Sequence, residues 1–547
     1  MPFVPTEEQA AAIEAFTRGE HLVIQAGAGT GKTSTLALLA EATPARRSRY
    51  LAFNRAIALD AASRFPATVQ CKTAHSLAYA ALGHRYRERL NSPRRPGWKV
   101  GADLGLNTPA RINDRDLLPA TLANTVLRTV TRYCQSAEAE LAPHHVPALR
   151  GIDDSDAQGE LADLLLPYAA KAWDDLQSPA GGAVRFEHDH YLKMWALSEP
   201  VLPGDFLLLD EAQDTNPVLE QIVLAQSGHT QIVMVGDSAQ AIYGWRGARD
   251  VMTGGAGHHL TLTRSFRFGP ALAAEANRWL ALADAPIQLT GSTDLPTTVG
   301  PHLRHPDAIL CRTNIGAVTE ILTLHNAGIP TALAGGGDAL RALAGAARDL
   351  IQGRRTHHPE LVLFTTWNEL RDYAELDPAG ADLQPFANLI ADHGPDALLD
   401  AVERLVPEPH AQVTVSTAHK AKGREWPRVR IASDFTPPPD TSERDATGRP
   451  VPAPVNPDEA RLAYVAVTRA RHHLDPAGLI WITEHPDNPG LFSGGSGSRR
   501  STDGDRERPH RPAGEAAIRQ EAPGPHAPDR GAEERHDNKR DTDHVLM

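Results

Sequence analysis

H-L-V-I-Q-A-G-A-G-T-G-K-T, residues 21–33, reads as an apolar strand, a glycine-rich turn and the start of a helix. That order is what a phosphate-binding loop requires, because glycines let successive backbone N–H groups converge on phosphate oxygens at a helix N-terminus. The loop comprises Ala26, Gly27, Ala28, Gly29, Thr30, Gly31, Lys32 and Thr33. Lys32 places a point charge near the β and γ phosphates, and the Thr33 hydroxyl can complete the shell of a Mg²⁺ ion. Ala26 stands where the pattern usually has its first glycine, so the motif is met in a relaxed form.

A turn that merely joins strand to helix is the competing reading, and a second stretch decides against it. In L-L-L-D-E-A-Q-D, residues 207–214, a carboxylate pair ends an apolar strand. Alone, such a pair is more often a helix cap. Beside a phosphate loop it supplies the missing chemistry: Asp210 to hold Mg²⁺ and Glu211 to orient and deprotonate the attacking water.

Outward from the loop, apolar strands are expected at His21–Gln25, Tyr50–Phe53, Phe206–Leu209 and Gln231–Val235, with helical patterns between them. Such alternation implies an α/β fold with a parallel sheet. Thr6 is placed as an N-cap with Gln9 as its capping-box partner. A second α/β region is expected from strands at Ala308–Cys311, Leu361–Phe364, Gln412–Ser416 and Val429–Ile431. The expected organisation is therefore two P-loop-type lobes. Residues 1–90 and 184–264 form the first, 91–183 a helical insertion within it, and 265–488 the second. Residues 489–547 carry almost no large apolar side chains and are expected to form a disordered tail.

The 547 residues are 41% hydrophobic and 22% charged, as in ordinary globular proteins. A net charge of -13 argues against a protein that coats duplex DNA through bulk positive charge, though not against a local basic track. Cys71, Cys134 and Cys311 are too dispersed for a disulfide framework or a cysteine metal site. The histidine pairs His144/His145, His258/His259, His357/His358 and His472/His473 lack zinc-site spacing and are expected to be structural or exposed. Neither a signal sequence nor a membrane span is apparent, so a cytoplasmic protein without membrane partners is expected.

The chain resembles the superfamily 1A DNA helicases of the UvrD/Rep/PcrA type, and among them the helicase part of the F-box DNA helicases. The resemblance runs from about Thr6 to His473 and rests on motifs in the family's order. After Gln9 and the phosphate loop come Y-L-A-F-N-R-A (50–56), C-K-T-A-H-S-L-A-Y (71–79), D-E-A-Q-D (210–214) and V-G-D-S-A-Q-A-I-Y-G-W-R-G-A (235–248). S-F-R-F-G (265–269), T-A-H-K-A-K-G-R-E-W (417–426) and L-A-Y-V-A-V-T-R-A-R (462–471) complete the set. The resemblance implies two RecA-like lobes using ATP and Mg²⁺. It does not carry over an F-box, for which no room precedes Gln9, and the large accessory insertion of the second lobe seen in UvrD-type proteins is expected to be reduced or absent.

By the same resemblance, Gln9 reads the adenine edge, Phe266 stacks on the adenine and Glu425 lies near the ribose. Gln240 senses the γ-phosphate, while Arg267 and Arg469 come from the second lobe and reach it when the cleft closes. A single strand exposes base faces, so aromatic stacking with a few phosphate contacts is the expected grip. Tyr243, Trp245 and Arg246 share a segment with Gln240; Phe53, Asn54 and His75 lie in loops that contact DNA in similar proteins. Core packing is the rival reading for Tyr243, and a buried hydrogen-bonding role for His75. The expectation is a monomeric motor moving 3′ to 5′ on single-stranded DNA and at single-strand/duplex junctions, with repair or recombination proteins as partners. A translocase that strips recombinase filaments without productive unwinding is the alternative.

Overall fold

The computed structural model describes residues 4–489 apart from 93–94, 96, 114, 150–151, 153, 243–250, 253–254, 357, 359–360, 362–363, 377–382 and 445–446. Among these residues two parallel six-stranded sheets form the frame. The first contains β1 (Leu22–Ala26), β2 (Ser48–Leu51), β3 (Val69–Lys72), β4 (Phe206–Leu209), β5 (Gln231–Gly236) and β6 (His258–Leu262). Their order across the sheet is β3-β2-β4-β5-β1-β6. The second contains β7 (Thr298–Val299), β8 (Ala308–Cys311), β9 (Thr331–Leu333), β10 (Val413–Thr417), β11 (Trp426–Ile431) and β12 (Ala470–Asp475), ordered β7-β12-β11-β8-β10-β9.

β4, β5, β8 and β10 are buried at every position, because a parallel sheet is covered on both faces and has no wet side to demand alternation. On one face of the first sheet, Ala12, Phe16, Leu36 and Leu39 of helices Glu7–Thr17 and Lys32–Glu41 pack against Leu22, Ile24 and Leu208. The capping box at Thr6 and Gln9 starts the first of these helices as expected. On the other face, Leu207, Ile232 and Met234 join a core that runs into helices between β3 and β4, chiefly Pro119–Gln135, Ser155–Gln177 and His188–Leu197.

The lobes also share apolar surface. Ala28, Ala239 and Ile242 from the first lobe belong to the same buried cluster as Phe268, Leu272 and Tyr464. Beside the second sheet, helices Asp338–Ile351, Trp367–Leu376 and Gln384–Glu403 pack into a subsidiary core that takes in Val318 of helix Asn314–Asn326.

At the ends of the expected strand Leu361–Phe364, Leu361 lies in a turn and Phe364 belongs to no strand. Leu361 and Phe364 are buried against these helices and make turn bonds, Leu361 N–H to His358 O and Phe364 N–H to Leu361 O. Residues 362–363 lie outside the described residues, as does the segment from 490 onward on which the expected tail falls. No described helix is long and apolar enough to cross a membrane.

Candidate active site

β1 delivers the phosphate loop to the C-terminal edge of the first sheet. Ala26 is the last residue of that strand, in ordinary extended backbone, which is why this position tolerates alanine. Gly29 and Gly31 do need to be glycine, with φ of 75° and 82°. At Gly29 a Cβ would also lie 2.6 Å from both Arg267 Cβ and Ser265 Oγ. Gly31 then caps the helix that begins at Lys32 and aims its N-terminus into the cleft.

β2 and β4 are neighbours, and this brings Tyr50 to Asp210 at the end of β4. Asp210 Oδ2 accepts the Thr33 hydroxyl at 2.9 Å and the Tyr50 hydroxyl at 2.6 Å, while Oδ1 accepts the Glu211 N–H at 2.9 Å. Glu211 has φ 53°, the left-handed region that a non-glycine residue occupies only when its surroundings impose it. Its Oε2 accepts Gln213 Nε2 at 2.6 Å. Burial and the adjacent Glu211 push Asp210 above the ordinary carboxylate range. Burial pushes Glu211 the same way, but Lys32, Lys422, the Gln213 bond and Arg469 outweigh it and hold this carboxyl below its usual value. The environments thus drive the pair apart, as expected where neighbouring carboxyls take different roles. The hydroxyl of Thr33 and the carboxylate of Asp210 meet as hard oxygen donors, a set that fits Mg²⁺.

Arg469 enters from the opposite side, just beyond helix Pro457–Val467. Its guanidinium is 2% exposed and donates to Val465 O, Arg424 O and, at 3.2 Å, Gln240 Oε1. Burial, then the neighbouring Arg267, pushes it down to about 9, still a cation at neutral pH. Arg267 donates to Glu425 Oε2 at 2.7 Å and to Thr468 O at 3.0 Å. Arg267 lies five residues beyond β6 of the first sheet, and its segment is tied to the phosphate loop by Phe266 N–H to Gly29 O and Ser265 Oγ to Ala28 O. Its backbone is thus held at the phosphate loop, while its guanidinium, like Arg469, is held by groups of the second lobe.

The resulting cleft, about 400 Å³, is lined by Lys32, Asp210, Glu211, Gln240, Arg267 and Arg469 together with Gly29–Thr33, Phe266 and Glu425. Phe266 is 43% exposed, offering a free ring face. Gln9 is buried, its Oε1 accepting Thr6 N–H and its Nε2 donating to Thr35, which leaves one N–H and one lone pair outside those bonds. A Cβ on Gly31 would lie 3.6 Å from Gln9 Nε2 and 3.8 Å from the Phe266 ring, so both flank the loop. The Glu425 carboxylate is engaged by Arg267, with Arg471 Nε 3.7 Å away.

A second cavity of about 300 Å³ opens at the C-terminal ends of β2, β3 and β4, with Phe53, His75, Asp189 and Asp214 around it, and it reaches Asp210 and Glu211. Phe53 is 52% exposed. His75 Nε2 lies 2.9 Å from Asp189 Oδ1, a half-exposed pair rather than a buried histidine. The Asn54 side chain is committed to capping Ile57 N–H. Tyr243, Trp245 and Arg246 lie outside the described residues. A third cavity, about 210 Å³, occupies the matching strand ends of the second sheet beside Asn314, Gly336, Thr417 and Lys420. Sequence reading missed it, although Thr417 and Lys420 stand in a quoted motif. It also left Asp214, Lys422, Asp237 and Tyr464 without roles, although all four stand in quoted motifs.

Glu138, His144 and His145 bring ligand atoms within 4.8 Å of one another. His145 Nδ1 accepts the Ala142 N–H, which keeps the ring proton on Nε2, the atom a metal would need. Within the cluster His144 is paired to Glu138 and His145 is bonded to Ser136.

The AAA domain family matches residues 9–246, and the UvrD-like helicase C-terminal domain family matches residues 362–475. The chain is similar to F-box DNA helicase protein 1 of Schizosaccharomyces pombe, 30% identical over 518 residues, covering 86% of this chain and 57% of that protein. F-box DNA helicase 1 of Gallus gallus is 28% identical over 503 residues, covering 84% and 47%. ATP-dependent DNA helicase UvrD2 of Mycobacterium tuberculosis is 26% identical over 553 residues, covering 84% and 76%. The chain thus spans about half the length of the two F-box relatives.

Proposed function

The chain belongs to the UvrD-like superfamily 1 helicases, and from that premise we propose that it hydrolyses ATP to move along single-stranded DNA and to separate strands at single-strand/duplex junctions. One observation carries this reading: Lys32, Asp210, Glu211, Gln240, Arg267 and Arg469 line a single cleft fed by both lobes.

In this reading Gly29–Thr33 and Lys32 cradle the triphosphate, Phe266 stacks on the base, and Gln9 offers its amide to the adenine edge. Thr33 and Asp210 would hold Mg²⁺, which would supply positive charge to offset that developing on the phosphate groups. Glu211 orients the water and accepts its proton. Arg267 and Arg469 stabilise charge on the transferring phosphoryl group, a contribution of roughly 10³ to 10⁵ in rate for such arginines. Arg469 also holds Gln240, so the distance between the lobes and the chemistry are linked by one hydrogen bond.

The cavities at the strand ends of the two sheets support a two-grip scheme, with Phe53 and His75 on one lobe and Asn314, Thr417 and Lys420 on the other. Closing and opening the cleft changes the spacing between grips, which advances the chain along the strand. Travel from 3′ to 5′, action as a monomer and service in repair or recombination follow from the family resemblance.

The test is ATP hydrolysis with and without single-stranded DNA, followed by unwinding of 3′-tailed and 5′-tailed duplexes. DNA-stimulated hydrolysis with unwinding of the 3′-tailed substrate is the expected result. Stimulated hydrolysis without strand separation identifies a translocase instead, and hydrolysis indifferent to DNA overturns the motor reading.

A further inference from the structure

Tyr464 lies in the middle of an apolar helix, and its ring packs in the cluster shared by both lobes. Its hydroxyl does something the ring does not need. It accepts the N–H of Ala28 in the phosphate loop at 2.9 Å and donates to Asp237 Oδ2 at 2.9 Å. Both partners belong to the first lobe.

Asp237 Oδ2 also accepts Gln240 Nε2 at 2.6 Å, and Gln240 Oε1 accepts Arg469 Nη2 at 3.2 Å. The path returns within the second lobe: Arg469 Nη2 donates to Thr468 Oγ1, which donates to the Tyr464 carbonyl at 2.8 Å. Tyr464 is therefore joined to Arg469 by two routes, one inside its own lobe and one across the cleft through Asp237 and Gln240. All five side chains are buried, with Tyr464, Asp237 and Thr468 wholly so. In such surroundings a missing hydrogen bond cannot be replaced by solvent.

Ala28 is held at both ends, its N–H by Tyr464 and its carbonyl by Ser265 Oγ. The next residue is Gly29, whose left-handed backbone shapes the phosphate cradle. The loop geometry that receives a triphosphate and the contact that seats Tyr464 thus meet at one residue, Ala28.

We propose that Tyr464 is a positioning residue whose hydroxyl docks the second lobe onto the phosphate loop and Asp237, so that Arg469 and Gln240 are seated in the cleft only when that loop is correctly formed. The proposal deepens the motor reading and rests on it. With the lobes apart, Ala28 N–H and Asp237 are open to water; with the lobes closed, the tyrosine hydroxyl is the partner of Ala28 N–H and shares Asp237 Oδ2 with Gln240 Nε2. Removing the hydroxyl therefore weakens the closed, reactive state by roughly five- to a hundredfold while leaving the ring's packing in place.

The experiment compares the wild-type chain, Tyr464→Phe, Arg469→Lys and the double variant in ATP hydrolysis at saturating single-stranded DNA, with melting curves to confirm folding. For Tyr464→Phe the expected result is a five- to a hundredfold fall in kcat with KM for ATP within about twofold, the pattern of a contact made in the reactive state rather than in ground-state binding. Placed on Arg469→Lys, the same change should lower kcat by less than about twofold, because its effect passes through Arg469. Turnover of Tyr464→Phe within twofold of wild type, or losses that multiply fully in the double variant, overturns the proposal. A wild-type chain with no DNA-stimulated hydrolysis sinks the motor reading itself, which separates the two failures.

Discussion

Lys422 Nζ lies 2.5 Å from Asp214 Oδ2, an ion pair between the two lobes in which the side chains are only 10% and 2% exposed. The same Nζ donates to the Gln240 carbonyl at 2.6 Å. A cation of the second lobe thus bonds both to the segment after Asp210 and Glu211 and to the loop that carries Gln240. Removing one partner of a buried pair leaves an uncompensated charge, which typically costs about 3–5 kcal/mol. Lys422→Met is expected to destabilise the folded chain towards the low end of that range, because Asp214 can take up a proton instead. Urea unfolding at neutral pH measures the loss, and DNA-stimulated hydrolysis should fall with it.

The same carboxyl predicts a pH dependence. Burial raises Asp214 from its ordinary 3.8 to about 6, despite the opposing pull of Lys422. A carboxyl whose folded pKa lies above its unfolded one contributes stability that is present in full below the unfolded value and is lost as the pH rises through the folded one. With Asp214→Asn as the non-titrating reference, the unfolding free energy of wild type relative to the variant should fall by up to about 3 kcal/mol between roughly pH 4 and pH 7. A difference that stays flat or grows across that window contradicts the assigned shift.

The phosphate loop offers a contrast between two glycines. Gly29→Ala combines a left-handed backbone with a Cβ 2.6 Å from Arg267 and Ser265, so both strain and collision act against it. Gly31→Ala meets only strain, its nearest atom lying 3.6 Å away. Backbone strain of this kind is worth about 1 kcal/mol, and the displacement of Arg267 adds to it at Gly29 alone. Melting curves should therefore rank Gly29→Ala clearly below Gly31→Ala, and Gly29→Ala should also lose ATP affinity as the loop and Arg267 are forced apart.

Local patterns made part of this architecture legible. Phe206–Leu209 and Ala308–Cys311 were readable to the residue because a fully buried parallel strand is an unbroken apolar run. Lys32, Asp210 and Glu211, proposed here as catalytic, stood out because phosphate chemistry constrains residue type at fixed spacing, whereas Gln240, Arg267 and Arg469 came from the family resemblance. β3 and β6 were not read, since Val69–Lys72 and His258–Leu262 carry exposed polar side chains and lie towards the sheet edges. Nor were the cross-lobe bonds: Tyr464 and Asp237 are 227 positions apart, and Lys422 and Asp214 are 208 apart. Nothing local distinguishes a tyrosine that fills a core from one whose hydroxyl crosses a cleft.

Lys32 tests the cleft most directly. Its ammonium belongs to the phosphate cradle, and preorganised charge of this kind is typically worth about 10² to 10³ in rate when one donor is removed. Lys32→Ala is expected to lower ATP hydrolysis by at least that factor while the melting temperature stays near that of wild type. Normal turnover in a folded Lys32→Ala chain removes the assignment of the cleft.

Phe53 separates gripping from folding. Its ring is 52% exposed at the mouth of the first lobe's cavity, so replacing it removes little buried surface and should leave the melting temperature nearly unchanged. Stacking of one base on an aromatic ring is worth about 1–3 kcal/mol, which corresponds to roughly a five- to 150-fold loss of affinity for single-stranded DNA in Phe53→Ala. Because stacking ignores base identity, the loss should be similar on oligo-dT and on mixed sequences. Because a stacked ring is not a phosphate contact, the salt dependence of binding should keep its slope. Fluorescence anisotropy at two or more salt concentrations reads both quantities. An unchanged affinity would move the strand away from the cavity at the ends of β2, β3 and β4, and an unchanged affinity with a lowered melting temperature would make Phe53 a packing residue instead.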